Sequence, residues 1–317
     1  MPTLSSTFSP ARGLSNGHAQ SLFGVMARPK VNVPLRRVRR DTPDGDFVDL
    51  DFVDGVPGAP TLLLLHGLEG SSASGYMQLM LRGCWLRGWT GIAMNQRGCS
   101  GELNRLARAY SSGDFRDLSW LVPERAGGTL FAAGFSLGAS VLLNFLARDA
   151  NASKLTAAAA VSAPYDLALG AQFLDSGTVI TKRYLAHFLP AMKARALAKA
   201  PSFPREFDVE AISAVTRIRD FDHLVTAAQF GFSSAEDYYA QCSAGPQLRS
   251  VKTRTLLLSS LDDALAPPVI PPRTEDNPAL DVLLTERGGH VGFVEGSVFA
   301  PRFWAETRVF EWFERFV

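Results

Sequence analysis

Residues 129–148 read TLFAAGFSLGASVLLNFLAR. Thr129 to Phe135 is a short, unbroken apolar run, the pattern of a strand covered on both faces. Leu137 to Arg148 then spaces Val141, Leu142, Phe145 and Leu146 at helical intervals. Between the two lies Gly134-Phe135-Ser136-Leu137-Gly138, which fits G-x-S-x-G, a serine held in a strained strand-to-helix turn. With 27 glycines in 317 residues the bare pattern is a weak signal. Its weight comes from the strand that enters it and the helix that leaves it. The two glycines stand where neighbouring backbone leaves no room for a Cβ. A serine that merely N-caps a helix is the plainer alternative.

Outward from this unit the rhythm repeats. Thr61 to Leu65, Thr90 to Met94, Ala157 to Ser162, Arg254 to Ser260 and Asp281 to Thr285 are further apolar runs. Ser74 to Arg87 has helical character, and Phe303, Trp304, Phe310, Phe313 and Phe316 mark a closing amphipathic helix. Buried strands alternating with helices predict an α/β fold with a mainly parallel sheet. Upstream, Pro34–Arg40 and Phe47–Phe52 flank a Pro/Asp/Gly turn and predict a hairpin with one wet face. Its four arginines (Arg36, Arg37, Arg39, Arg40) suit the solvated charges of an edge strand. The first thirty residues look irregular.

Between Pro164 and Val251 no strand pattern occurs. Lys182 to Lys199, Val209 to Arg217 and Ser234 to Gln241 are helical instead. This predicts a helical cap, residues 165–250, inserted after the sixth strand into a single domain spanning 1–317. Its aromatic and aliphatic residues, among them Leu174, Phe188, Met192 and Phe207, suit packing between cap helices more readily than an acyl channel.

Composition excludes several functions. Lys and Arg total 32 against 31 Asp and Glu, so no global field favours nucleic acid or an anionic membrane. The three cysteines, Cys84, Cys99 and Cys242, lack CxxC spacing, which disfavours a disulfide framework or thiolate zinc site. No apolar stretch approaches the ~20 residues that span a bilayer, so the expectation is a cytoplasmic protein without integral membrane association. Neither a phosphate-cradling glycine motif nor an H-E-x-x-H helix is present, so no cofactor and no metal are expected.

A serine hydroxyl needs a base within hydrogen-bond reach and an acid to orient that base. In an architecture of this kind the acid and then the histidine follow the serine. His18 and His66 precede Ser136, and His187 and His223 lie in the helical stretch. His290, in Gly288-Gly289-His290-Val291-Gly292-Phe293 after the last strand, is the candidate base. For the acid, Asp263 keeps a recurrent spacing with Ser260 and Pro267; Asp262 is the alternative and Asp166 a weaker one. The oxyanion-hole amides should come from Leu137 and from the loop His66-Gly67-Leu68-Glu69-Gly70, through Leu68. His66 is then a loop-fixing residue, and Cys99 a packing residue.

Several segments in order resemble the YheT-like branch of the α/β-hydrolase superfamily. They are Asn16-Gly17-His18-Ala19-Gln20-Ser21, His66 to Ser71, Arg97 to Glu102 with Asn104-Arg105, and Gly134 to Gly138. Ser162 to Leu167, Asp237-Tyr238-Tyr239, Asp262-Asp263 and Gly288 to Phe293 complete the set. The resemblance spans nearly the whole chain. It implies an α/β-hydrolase fold and an esterase-like serine hydrolase, with Ser136, Asp263 and His290 at the positions of the family's triad. The partner implied is a small-molecule ester. An acyltransferase using the same triad and a catalytically silent binding module are the alternatives. Ala139 and Ser140 depart from the glycine and asparagine that many members carry after the elbow, and Asn-Gly-His replaces their Asn-Pro-His.

Overall fold

The computed structural model describes residues 3–267 and 277–317. Strands β1 (Thr3–Leu4), β2 (Arg36–Asp41), β3 (Phe47–Val53), β4 (Thr61–Leu65) and β5 (Thr90–Asn95) join one sheet with four later strands. These are β6 (Leu130–Phe135), β7 (Ala157–Val161), β8 (Thr255–Ser260) and β9 (Leu280–Thr285). The spatial order is β1-β9-β8-β7-β6-β4-β5-β3-β2. Seven strands are paired in parallel; β3 pairs antiparallel with β5, and β2 antiparallel with β3. A separate hairpin, β10 (Val294–Ser297) with β11 (Ala300–Phe303), follows β9.

The unbroken apolar runs have a direct cause. Leu62 and Leu64 join one core cluster while Leu63 and Leu65 join the other, on opposite faces of the sheet. Helices α2 (Gly75–Leu86) and α11 (Trp304–Phe313) cover the first face with Met77, Met80, Phe310 and Phe313. Helices α3 (Arg116–Arg125) and α4 (Leu137–Arg148) cover the second with Leu118, Leu121, Leu142 and Phe145. Register then sets what meets at the carboxyl edge. Leu65 lies beside Gly134 and Phe135 beside Val161, so the loop after β4 adjoins the turn after β6. Ser260 lies beside Thr285, which brings together the loops that end β8 and β9.

Four expectations need correction. The N-terminal stretch is not all irregular: it holds helix α1 (Gly17–Ala27), whose two glycines hide its helical character from a propensity argument. The helical insertion follows the seventh strand rather than the sixth. The extra strand is β1, two residues paired to β9 and too short to leave a pattern. The hairpin has no wet face on its second strand, because β3 sits between β2 and β5 and is buried throughout. Its arginines lie on the edge but are ion-paired, Arg37 to Asp51 at 2.8 Å and Arg39 to Asp49 at 2.9 Å.

Between β7 and β8 the described chain forms α5 (Leu167–Leu174), α6 (Val179–Lys199), α7 (Val209–Ala214) and α8 (Ile218–Phe221). A π-helical turn (Asp222–Ala227), α9 (Ala228–Phe230), α10 (Ala235–Cys242) and a 3-10 turn (Gly245–Ser250) complete it. The expected helix 209–217 stops at Ala214, the fourth correction. Asp175 accepts the amides of Ile218 and Arg219 at 2.8 and 3.1 Å and starts a new helix there.

Candidate active site

The turn after β6 is sterically locked. Ser136 has φ 53° and ψ −122°, a conformation that costs energy for any residue with a side chain. Its amide donates to the Val161 carbonyl at 2.9 Å. A Cβ on Gly134 would collide with the Gly138 carbonyl, and one on Gly138 with the carbonyls of Leu65 and His66. The two glycines of the motif therefore let β4, β6 and α4 close around the serine.

The structure brings Ser136, His290 and Asp263 into one hydrogen-bonded chain. His290 Nε2 lies 2.7 Å from Ser136 Oγ, and its Nδ1 lies 2.9 and 3.1 Å from the two Asp263 oxygens. A carboxylate opposite Nδ1 selects the Nδ1–H tautomer, which leaves the Nε2 lone pair for the serine hydroxyl. Asp263 is buried; its Oδ1 also accepts the amides of Leu265 and Ala266 at 2.9 and 3.2 Å. Such a chain can take a proton from the serine as it attacks a carbonyl carbon.

The alternative acids lie elsewhere. Asp166 caps α5 by accepting the Leu169 amide at 3.0 Å. Asp262 turns away from the imidazole and accepts the Gly289 amide at 2.8 Å and the Ser260 hydroxyl at 2.5 Å. It thus ties the loop after β8 to the loop that carries His290.

Leu68 and Leu137 both line a cavity of about 130 Å³ together with Ser136 and His290. Among the described residues neither backbone amide donates to a protein acceptor. The amides around Leu68 are occupied: Gly67 N–H donates to Tyr76 Oη at 2.8 Å and Glu69 N–H to Tyr110 Oη at 2.9 Å. These two tyrosines were missed from the sequence, and nothing local to them marks them as supports of that loop. His66 Nδ1 donates to the Gly67 carbonyl at 2.8 Å, and Nε2 accepts the Gln96 amide at 3.0 Å. Burial pushes its pKa down to about 4 and keeps it neutral, as a loop-fixing residue requires. Burial also pushes the Cys99 thiol up to about 11, as expected for a packing residue rather than a nucleophile.

The remaining wall of the cavity comes mainly from the helical segment: Leu167, Ala171, Leu174, Phe188 and Ile218 are its apolar part, and Asp222 its carboxyl. Met192, Phe207 and Phe221 belong to the segment's own core and line a second cavity of about 60 Å³ that shares Leu68 and Leu137. Helix α6 binds the loops below it, with Arg195 paired to Glu69 and Lys199 Nζ donating to Asn104 and the Leu106 and Ala107 carbonyls. It also meets α1, where His18 Nδ1 lies 2.9 Å from Tyr184 Oη.

A mostly parallel sheet with helices on both faces, a serine turn after β6, and acid and histidine loops after β8 and β9 together define an α/β hydrolase. The family model for the alpha/beta hydrolase fold matches residues 60–297. The chain belongs to that family, in its YheT-like branch. It is 38% identical over 317 residues to YheT of Escherichia coli (strain K12), an esterase by its provisional name, covering 97% of this chain and 93% of the relative. It is 29% identical over 311 residues to Phospholipase ABHD3 of Homo sapiens, covering 93% and 75%. The esterase Pf2001 of Pyrococcus furiosus shares the fold at a TM-score of 0.55 and 16% identity, covering 99% and 98%. No described helix is long and apolar enough to cross a membrane.

Proposed function

We propose that this protein hydrolyses carboxylic esters through an acyl-enzyme. Ser136 Oγ attacks the ester carbonyl while its proton passes to His290 Nε2. The tetrahedral intermediate collapses, and that proton leaves with the alcohol. Water then enters, His290 takes its proton, and attack on the acyl carbon releases the acid and restores Ser136. Asp263 holds the imidazole in the required tautomer and balances its transient charge. The Leu68 and Leu137 amides receive the developing oxyanion. No metal or cofactor is needed at any step.

The observation that carries this reading is the Ser136–His290–Asp263 chain at 2.7 and 2.9 Å. The relatives named as an esterase and a phospholipase support an ester as substrate, as does the apolar wall that faces Ser136. Residues 165–250 act as a cap over the site within one domain, and their cavity receives the apolar part of the ester. Three free cysteines fit a reducing, cytoplasmic setting.

Ser136→Ala is the test, with a chromogenic short-chain ester as substrate. Loss of a triad nucleophile costs on the order of 10⁶ in kcat. Turnover within tenfold of the wild type, or labelling of the variant by a fluorophosphonate probe, would overturn the mechanism.

A further inference from the structure

The loop that carries His290 is strained along its backbone. Gly288, Gly289, Val291 and Phe293 have φ of 147, 59, 55 and 46°. A β-branched valine and a phenylalanine in that region persist only where surrounding structure over-determines them. Asp262 supplies one support, through the Gly289 amide, and Ser162 Oγ supplies another by accepting the Val291 amide at 3.1 Å. The Phe293 amide closes the loop on the Gly288 carbonyl at 2.9 Å, and further support comes from the segment around α1, remote in sequence and not involved in the chemistry above.

Three side chains of that segment hold consecutive parts of the loop. Ser21 Oγ accepts the His290 amide at 2.8 Å and donates its own proton to the Gly17 carbonyl at 2.7 Å. Gln20, fully buried, accepts the Val294 amide at 2.7 Å and donates to the carbonyls of Leu14 and Val294 at 2.8 and 3.1 Å. Arg28 donates to the Val291 and Gly292 carbonyls at 2.6 and 3.3 Å and is fixed by Glu306 at 2.8 Å. The helix lies close enough for backbone to meet backbone. A Cβ on Gly17 would overlap the Asp262 carbonyl, and one on Gly289 would overlap the Gly17 carbonyl. Asn16 fixes where the helix starts by accepting the Ala19 amide at 2.8 Å.

We infer that α1 belongs to the catalytic apparatus and that Ser21 is a positioning residue for His290. This rests on the triad reading above. The Ser21 hydroxyl is a fixed acceptor, since its proton is committed within the helix and its lone pair faces the His290 amide. Aiming the imidazole at both Ser136 and Asp263 requires its own backbone to stay in place. A displacement near 1 Å at a catalytic group costs up to about 10²-fold in rate. The motif Asn16-Gly17-His18-Ala19-Gln20-Ser21 thereby has a physical role: a cap, a glycine for close approach, and two side chains that clamp the histidine loop.

Ser21→Ala tests this in the full-length protein. Alanine favours helix and removes a single oxygen, so the fold is kept. The control is Thr253→Ala, which removes a comparable buried hydrogen bond, to the Ala152 carbonyl at 2.9 Å, before the start of β8 and so at the far end of the sheet. Steady-state kinetics on a chromogenic ester, the rate of Ser136 labelling by a fluorophosphonate, and Tm are measured for both variants. Ser21→Ala should lower kcat and the labelling rate by about 10- to 100-fold with KM within about threefold. Thr253→Ala should lower Tm at least as far and leave kcat unchanged. A Ser21→Ala kcat within threefold of the wild type overturns the inference. So does an equal loss of kcat in Thr253→Ala. Ser136→Ala in the same assay keeps the two ideas apart, because its activity tests the triad and not the helix.

Discussion

Replacing Asp263 by asparagine separates the two adjacent carboxylates and has a magnitude that follows from the geometry. Asp263 Oδ1 accepts the amides of Leu265 and Ala266, so an asparagine oxygen takes that position. The asparagine Nδ2 then stands where Oδ2 stood, 2.9 Å from His290 Nδ1. Two N–H donors cannot face each other, so the imidazole shifts to the Nε2–H tautomer. Its donor then faces Ser136 Oγ, and no lone pair is left to take the serine proton. Loss of the productive tautomer costs about 10⁴ in kcat, or about 5 kcal/mol at 1.36 kcal/mol per decade. Asp262→Asn changes much less. The Gly289 amide and the Ser260 hydroxyl keep an oxygen acceptor, and two charge-assisted bonds become neutral, a difference of about 1 kcal/mol or roughly fivefold for each. The assay is kcat/KM on a p-nitrophenyl ester, with Tm recorded for each variant. An Asp262→Asn loss equal to or larger than that of Asp263→Asn would refute this assignment of the acid.

Gly138→Ala drives a methyl group into the Leu65 and His66 carbonyls, and should cost roughly 1–3 kcal/mol in a urea titration together with activity. Burial pushes the Asp222 carboxyl up to about 6, so the native state holds that proton more tightly than the unfolded chain. Stability from this group is complete below about pH 4 and is lost as pH rises to about 6, and Asp222→Asn should lack that slope in Tm against pH. His66 acts in the opposite sense, since its lowered pKa makes the fold lose stability as pH falls from about 6.5 towards 4. The difference between Asp222→Asn and the wild type removes that contribution.

The sequence by itself determined the sheet and the order of the chemical groups along it. Runs such as Leu62 to Leu65 can be buried on both faces only inside a helix-covered sheet, so α/β architecture was legible without coordinates. The juxtaposition of Ser136 and His290, 2.7 Å apart, was legible too, because G-x-S-x-G and the glycines beside His290 are local consequences of backbone that must turn sharply. Local rules did not reach β1, paired to β9 over two residues, or α1, whose glycines suit close approach rather than helix propensity. They favoured Asp263 over Asp262 by its spacing from Ser260 and Pro267 alone, since adjacent carboxylates look alike until the fold turns one to the imidazole and the other to the Gly289 amide. What Tyr76, Tyr110, Ser21 and Arg28 do was invisible for the same reason, although Ser21 stood in the Asn16 to Ser21 motif. Their roles are contacts between segments far apart in the chain, and such contacts exist only once packing has brought the loops at the carboxyl edge of the sheet together. Tertiary structure alone decided them.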